Sequence, residues 1–245
     1  MNEKAQIISM LKSVKMSGAI KTLDNRFLEA QTNKLSYSEF LTAILLDEIE
    51  IRAQNKLDRL LAQSRMGIQK TLESFDFSFN PSVNAAQIKE LATCNFLDKG
   101  ENIFFLGQTG TGKTHLAKAI CHQACRKHKT VRFYKFYQFF NEFSKADLNN
   151  QAENLLKKLV KVDLVVIDDF AFKKIDQASA EFLYALVDSR YQVKSMILTS
   201  NRDMVDWLDV FPDQVTANAI MDRLAHNAHQ IEITGPSFRT NFRPR

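Results

Sequence analysis

The sequence predicts an α/β fold built on a five-stranded parallel sheet and preceded by a small helical domain. Over the last two thirds of the chain, short apolar segments alternate with helical segments, as a parallel sheet covered by helices requires. The first third carries apolar residues at helical spacing instead. We therefore divide the chain into a helical N-terminal domain over residues 1–67 and an α/β domain over residues 68–245.

In the N-terminal domain, apolar spacing predicts helices up to about residue 65, with a break at Gly18. Ser36 and Glu39 have the spacing of a capping box, which predicts the start of a long helix. We interpret the apolar stripe of this helix as the core of a small bundle rather than a groove for a partner. The stripe consists of Phe40, Leu41, Ile44, Leu45, Ile49, Leu57, Leu60 and Leu61. Residues 65–81 are expected to form a linker that docks on the next domain.

The second domain alternates between predicted strands and predicted helices. The predicted strands cover residues 103–106, 131–135, 163–167, 195–199 and 229–233. The predicted helices cover residues 113–127, 136–144, 152–160, 178–191 and 216–225. Only twelve residues follow Ile233, so we expect no further helical domain after the last strand.

The first predicted strand leads directly into a phosphate-binding P-loop. Its residues are Gly107, Gln108, Thr109, Gly110, Thr111, Gly112, Lys113 and Thr114. In a strand-loop-helix setting, the glycines let backbone N–H groups face a phosphate, and the helix presents its positive N-terminal end. We expect Lys113 to reach the β- and γ-phosphates of ATP and the Thr114 hydroxyl to ligate Mg²⁺.

A second motif is the apolar strand over residues 163–167, which ends in Asp168 and Asp169. The carboxyl ends of parallel strands are where such folds bind ligands. We expect Asp168 to hold Mg²⁺, directly or through water, and Asp169 to polarise the attacking water. The alternative interpretation is a helix cap followed by a turn residue.

Two further polar residues are candidates for the same site. Asn201 follows the next strand and could position a water molecule, although Ser-Asn is also an ordinary turn signal. Arg223 lies on the last predicted helix. An arginine supplied by a neighbouring subunit can neutralise charge on a transferred phosphoryl group, but an exposed arginine is more often part of a surface ion pair.

The charge distribution suits a polyanion such as nucleic acid. The net charge is +5, and no acidic residue occurs from Asn102 to Asn141. The cations of that stretch are Lys113, Lys118, Arg126, Lys127, Lys129, Arg132 and Lys135. The alternative is an ordinary solvated face. The sequence has neither a signal-peptide core nor a long uncharged apolar segment, so we expect a cytoplasmic protein with no membrane partner.

Taken together, these motifs resemble those of the IstB family, AAA+ ATPases that assist transposition by insertion sequences. The most specific similar segments are 199–201, 206–207, 211–213, 222–226 and 235–239. The resemblance implies that Asn201 is the first sensor, that Arg223 is an arginine finger acting across subunits, and that Arg239 lies near the nucleotide. It also implies an AAA+ domain without a C-terminal helical lid.

The resemblance further implies that ATP promotes homo-oligomers that bind and deform duplex DNA without strict sequence readout. These oligomers would recruit and stimulate a transposase of the same insertion sequence. The helical domain would then serve oligomerisation or contact with DNA or a partner. Many relatives carry Asp-Glu where this chain has Asp168-Asp169, and the shorter Asp169 side chain implies slower hydrolysis.

Two other functions remain open from the sequence. A helicase loader resembling DnaC shares the ATPase core and the arginine finger, but delivers a helicase to single-stranded DNA. The N-terminal region is where such a loader would differ. A small-molecule P-loop kinase usually needs a mobile lid over the phosphates, for which we see no length after the last strand.

Overall fold

The computed structural model describes residues 3–238, which divide between Arg59 and Leu60 into two compact units. The helices are α1 (Glu3–Ser13), α2 (Ser17–Asn33), α3 (Tyr37–Ser64), α4 (Ala85–Leu91), α5 (Lys113–Arg126), α6 (Phe136–Leu148), α7 (Ala152–Lys161), α8 (Gln177–Arg190) and α9 (Gln214–Ala225). The strands are β1 (Asn102–Gly107), β2 (Val131–Lys135), β3 (Leu164–Asp168), β4 (Ser195–Ser200) and β5 (Ala228–Ile233). The point of division lies within α3, whereas the predicted boundary at residues 67 and 68 follows its last residue.

The first unit has a small apolar core. Ala19 and Leu23 of α2 pack against Ile44 of α3, with five partly buried apolar side chains around them. The expected bundle core is therefore only partly correct. Three other members of the predicted α3 stripe are exposed: Leu41, Leu45 and Ile49. They lie on a different side of α3 from Ile44, because a stripe of eight residues is wider than the face that α2 covers.

The predicted break at Gly18 is wrong in position. The chain leaves α1 at Ser13, and Gly18 lies in the first turn of α2. The buried Glu48 carboxylate accepts hydrogen bonds from the backbone N–H groups of Gly18 (2.6 Å) and Ala19 (3.1 Å). A Cβ at Gly18 would lie 2.8 Å from Glu48 Cα, so glycine is needed here for close helix approach rather than for a chain break.

The predicted capping box at the start of α3 is present. The Ser36 N–H donates to Glu39 Oε2 (2.7 Å), and the Glu39 N–H donates to Ser36 Oγ (3.3 Å). These reciprocal bonds satisfy backbone donors that have no partner inside the helix. The sequence thus locates the start of α3 correctly.

The second unit contains one parallel five-stranded sheet in the order β2-β3-β4-β1-β5. All five strands and all five helices predicted for this domain are present, with ends shifted by a few residues. The short helix α4 was not predicted. Because β1 and β2 lie apart, with β4 and β3 between them, the connection through α5 leaves a crevice at the carboxyl end of β1.

The opposite, amino-terminal edge of the sheet is held by one buried arginine. Arg190 is 1% exposed, and its guanidinium donates to the carbonyl oxygens of Leu159, Val162, Asp163 and Ser195 at 2.6–3.2 Å. These bonds join the end of α7 to the starts of β3 and β4.

In the part of the chain from residue 3 to residue 238, no helix is both long and apolar enough to cross a membrane.

Candidate nucleotide-binding site

The P-loop connects β1 to α5 at the crevice. Gly112 is the residue before α5 and has a φ of 105°, in the left-handed region. A Cβ at Gly112 would also lie 2.6 Å from Cε2 of Phe75. Only glycine fits both this backbone conformation and the close approach of Phe75. Because glycine has no side chain, it cannot cap the first N–H groups of α5, which remain available to a ligand. The loop therefore ends in a helix N-terminus suited to an anion.

Lys113 projects back over the loop. Its side chain is buried, and its Nζ donates to the carbonyl oxygens of Gly107 (2.6 Å) and Gln108 (2.7 Å). The ammonium group is therefore held along the inner side of the P-loop. A phosphate bound by the loop N–H groups would meet this charge.

The buried carboxylate of Asp168 links the P-loop helix to the sheet. Its Oδ1 accepts hydrogen bonds from Thr114 Oγ1 (2.7 Å) and Thr199 Oγ1 (2.6 Å). Thr114 lies in the first turn of α5, Asp168 ends β3, and Thr199 is near the end of β4. Because β4 lies between β1 and β3 in the sheet, these three segments are neighbours in space and meet at one carboxylate.

Thr199 also fixes the backbone of the next acidic residue. Asp169 has a φ of 56°, an uncommon conformation for a residue with a side chain. Its N–H donates to Thr199 Oγ1 (3.0 Å), and the N–H of Phe170 donates to Thr199 O (2.7 Å). The sequence interpretation missed Thr199, although a hydroxyl near the carboxyl end of a strand beside β3 is a usable signal.

Asn201 lies in the bend after β4 and is exposed. Its neighbour Ser200 is buried, donates to Phe170 O (2.9 Å) and accepts from Trp207 Nε1 (3.0 Å). These contacts fix the direction in which the chain leaves β4. Asn201 thus starts from a well-held strand end, and its sensor role remains a prediction.

Two segments pack around the outer side of the P-loop. The linker contributes Asn80, whose Nδ2 donates to Thr111 O (2.5 Å). It also places Thr71 O 3.0 Å from Nε2 of His115, whose pKa is lowered mainly by burial. From the other side, the N–H of Phe238 donates to Gly110 O (3.0 Å). The linker docks on the domain as expected, and it does so at the P-loop.

Arg223 lies on α9 and contacts helix α8. Its Nε donates to Asp188 Oδ1 (2.8 Å), and its guanidinium carbon lies 5.1 Å from the centroid of the Tyr184 ring. About a quarter of its side chain is exposed, at 27%. The structure thus brings Asp168 into contact with Thr114 of the P-loop. The described contacts of Arg223 are instead with residues of α8 and α9. Arg239 lies outside the described residues, directly after Phe238.

The basic stretch is divided between the two ends of α5. At the far end, Lys129 pairs with Asp98 (2.6 Å) and Lys127 donates to Thr93 O. The pKa of Lys129 is raised, chiefly by its hydrogen bond to Asp98. At the P-loop end lie Lys113 and Lys118. The lysines of this stretch therefore lie near both ends of α5.

Comparison with known proteins identifies the family. The family model described as IstB-like ATP binding protein matches residues 9–244. The chain belongs to this family. The resemblance inferred from the sequence is thus confirmed. An ATP-binding protein in an insertion sequence of Mycobacterium tuberculosis is 35% identical over 235 residues, covering 96% of this chain and 94% of the relative. The ATP-binding protein of insertion sequence IS21 from Pseudomonas aeruginosa is 34% identical, covering 98% and 89%.

Solved structures share the α/β fold of this IstB-like protein. A crystal structure of DnaI superimposes with a TM-score of 0.57 at 21% identity, covering 67% of this chain and 91% of DnaI. The DnaC helicase loader gives a TM-score of 0.54 at 18% identity, covering 72% and 99%. The predicted fold, a five-stranded parallel α/β domain with a helical N-terminal region, is confirmed, and this domain shares the fold of DnaI and DnaC.

Proposed function

We propose that this protein is an ATP-dependent transposition helper that assembles on duplex DNA and recruits a transposase of the same insertion sequence. Membership of the IstB-like family over almost the whole chain supports the insertion-sequence context. The observation that carries the ATPase part is the hydrogen-bonded group of Thr114, Asp168 and Thr199 beside the P-loop. This group supports the proposal, because a nucleotide-bound cation needs a hydroxyl and a carboxylate beside the P-loop.

ATP would bind with its phosphates in the P-loop. The N–H groups at the start of α5 and the Nζ of Lys113 face the same loop, so they supply donors and positive charge for the β- and γ-phosphates. Hydrolysis requires a water molecule to attack the γ-phosphorus while the bond to the β,γ-bridging oxygen breaks. We assign the orientation of that water to Asp169, with Asn201 as a second contact.

The residues at the carboxyl edge of the sheet fit Mg²⁺. Thr114 Oγ1 and Asp168 Oδ1 are 2.7 Å apart and are both oxygen donors, the kind that this hard cation prefers. Held by Thr114 and Asp168, Mg²⁺ would supply positive charge against the negative charge that develops during phosphoryl transfer. Thr199 would keep the Asp168 carboxylate oriented toward α5.

We assign Arg223 to the ATP site of a neighbouring subunit. Its described contacts are with α8 and α9, away from the loop that its own chain contributes. An arginine that completes a neighbouring site makes hydrolysis depend on a homo-oligomer. We also assign Arg239 to nucleotide binding, because it directly follows Phe238, whose N–H donates to Gly110 O.

Thr199→Val should lower ATP hydrolysis on the order of tenfold while ATP affinity changes little. Valine keeps the volume but removes the hydroxyl that joins the Asp169 N–H to the Asp168 carboxylate, so both acidic groups lose their positioning. Steady-state phosphate release and equilibrium binding of a fluorescent ATP analogue measure the two effects. Thr199→Ser should restore hydrolysis.

Ser195→Ala is a matched control for Thr199→Val, since Ser195 is a buried hydroxyl of the same strand whose partner is Phe96 O at the opposite edge of the sheet. If Ser195→Ala and Thr199→Val reduced hydrolysis equally, the effect would be one of strand stability and the positioning role of Thr199 would be lost.

The proposed function as a whole is tested by duplex binding. Addition of a non-hydrolysable ATP analogue should tighten binding to two duplexes of unrelated sequence by similar factors. Affinity should fall steeply as salt increases, because contacts to the DNA backbone release counterions. Fluorescence anisotropy with labelled duplexes gives these affinities.

Equal duplex affinity with and without the ATP analogue, or a strong preference for one of the two duplexes, would contradict this function. Stimulation of strand transfer by the neighbouring transposase would test the partner assignment separately.

A further inference from the structure

Two lysines from separate segments, Lys118 and Lys135, lie near the carboxylate at the end of β3, and a third, Lys70, lies near Lys118. Lys118 projects from α5 toward the sheet, with its Nζ 5.3 Å from the centroid of the Phe133 ring. The same Nζ donates to Ile68 O (3.4 Å), two residues before Lys70 in the linker. We call Lys70, Lys118 and Lys135 the cationic cluster.

The strand register places the third lysine of the cluster beside the candidate magnesium ligand. Lys135 of β2 is the direct partner of Asp168 in the pairing of β2 with β3. Partners in a parallel ladder have side chains on the same face of the sheet, and residues two apart on a strand share that face. Lys135 is therefore on the same face of the sheet as Phe133 and Lys118. It lies beside Asp168, the residue that accepts a hydrogen bond from Thr114.

Lys118 is close to the like charges of the other two lysines. Its pKa is lowered chiefly by burial; the charge of Asp168 raises it, and the charges of Lys135 and Lys70 lower it further. Three cations thus lie close together, and the carboxylate beside Lys118 and Lys135 is itself expected to hold a cation. Lys70 and Lys135 are exposed, so their charges are open to a ligand from solvent. A bound anion would relieve this repulsion.

The lysines at the far end of α5 differ in this respect. Lys129 already has Asp98 as its partner, and Lys127 donates to a backbone carbonyl. Lys129 is thus paired with a carboxylate, whereas Lys118 contacts a backbone carbonyl and the like charges of Lys70 and Lys135.

We propose that Lys70, Lys118 and Lys135 bind a phosphate of the DNA backbone directly beside the ATP site. This inference rests on the proposed DNA-binding function and adds the location of the contact. DNA bound there would lie next to Asp168 and the proposed Mg²⁺ site. Nucleotide and DNA would then bind at the same edge of the sheet. ATP itself is the competing ligand for these charges.

The test compares two double variants with the full chain in the presence of a non-hydrolysable ATP analogue. Lys118→Gln with Lys135→Gln removes charge from the cationic cluster, and the glutamine at position 118 keeps an N–H donor for Ile68 O. Lys127→Gln with Lys129→Gln removes the same charge from the other end of the basic stretch. Duplex affinity is measured by anisotropy over a series of salt concentrations.

The cluster variant should bind duplex at least ~10-fold more weakly at 0.1 M salt, and the slope of log affinity against log salt should become shallower by about 2. The control variant should keep the wild-type slope, and both should keep the wild-type ATP affinity and melting temperature. Equal slopes for all three proteins, or weaker ATP binding by the cluster variant with unchanged DNA binding, would overturn the inference. Failure of the wild-type chain to bind any duplex would instead contradict the proposed function itself.

Discussion

Lys113→Ala should abolish ATP-dependent assembly on DNA. The Lys113 ammonium lies along the inner side of the P-loop, within hydrogen-bonding distance of Gly107 O and Gln108 O. Loss of a desolvated charge that pairs with phosphate costs roughly 3 kcal/mol, so ATP affinity should fall about 100-fold or more. Equilibrium binding of a fluorescent ATP analogue measures the affinity, and light scattering with duplex DNA measures the assembly.

Lys127→Ala is the control for this experiment, because it removes a lysine just after the last residue of the same helix, from a side chain that donates to Thr93 O. This variant should bind ATP as the wild type does. Full ATP-dependent assembly by Lys113→Ala would show that the P-loop is not the site through which the nucleotide acts.

Arg223→Ala should reduce ATP hydrolysis on the order of 1000-fold, as expected for removal of an arginine finger. Asp169→Asn should also be inactive, because the carboxylate that orients the water is lost. If the two residues act at one site shared by neighbouring subunits, mixing the two inactive proteins creates sites that contain both wild-type residues. At equal amounts, random mixing gives up to about a quarter of the wild-type activity.

The mixing experiment separates a catalytic role of Arg223 from a structural one. Arg223 also pairs with Asp188, so its removal could weaken the packing of α9 on α8. Asp188→Ala removes that ion pair and leaves the arginine in place, and it should retain most of the hydrolysis. Absence of activity at every mixing ratio, with both variants folded and assembled, would argue against a shared site.

Local patterns predicted the strands and the P-loop because each depends on residues that are adjacent in sequence. The apolar run before Gly107 and the glycine spacing after it are sufficient to place a strand, a loop and a helix. The Ser36–Glu39 box located the start of α3 for the same reason. Asp168 was found because it ends a fully buried strand.

The features that were missed depend on contacts between distant parts of the chain. Thr199 meets Asp168 only because β4 lies between β1 and β3, an order that no local pattern specifies. The role of Gly18 is not visible in the sequence, because its contact Glu48 is thirty residues away. The same holds for the partners of Lys127 and Lys129, since Thr93 and Asp98 are 34 and 31 residues away in sequence.

Electron microscopy of the protein with duplex DNA is the most direct test of the central claim that ATP controls assembly on DNA. With a non-hydrolysable ATP analogue, we expect ordered oligomers on the duplex in which the α9 helix of one subunit faces the P-loop of the next. Without nucleotide, or with Lys113→Ala, these particles should be absent. Oligomers of the same form on DNA in the absence of nucleotide, or monomers throughout in its presence, would contradict the account.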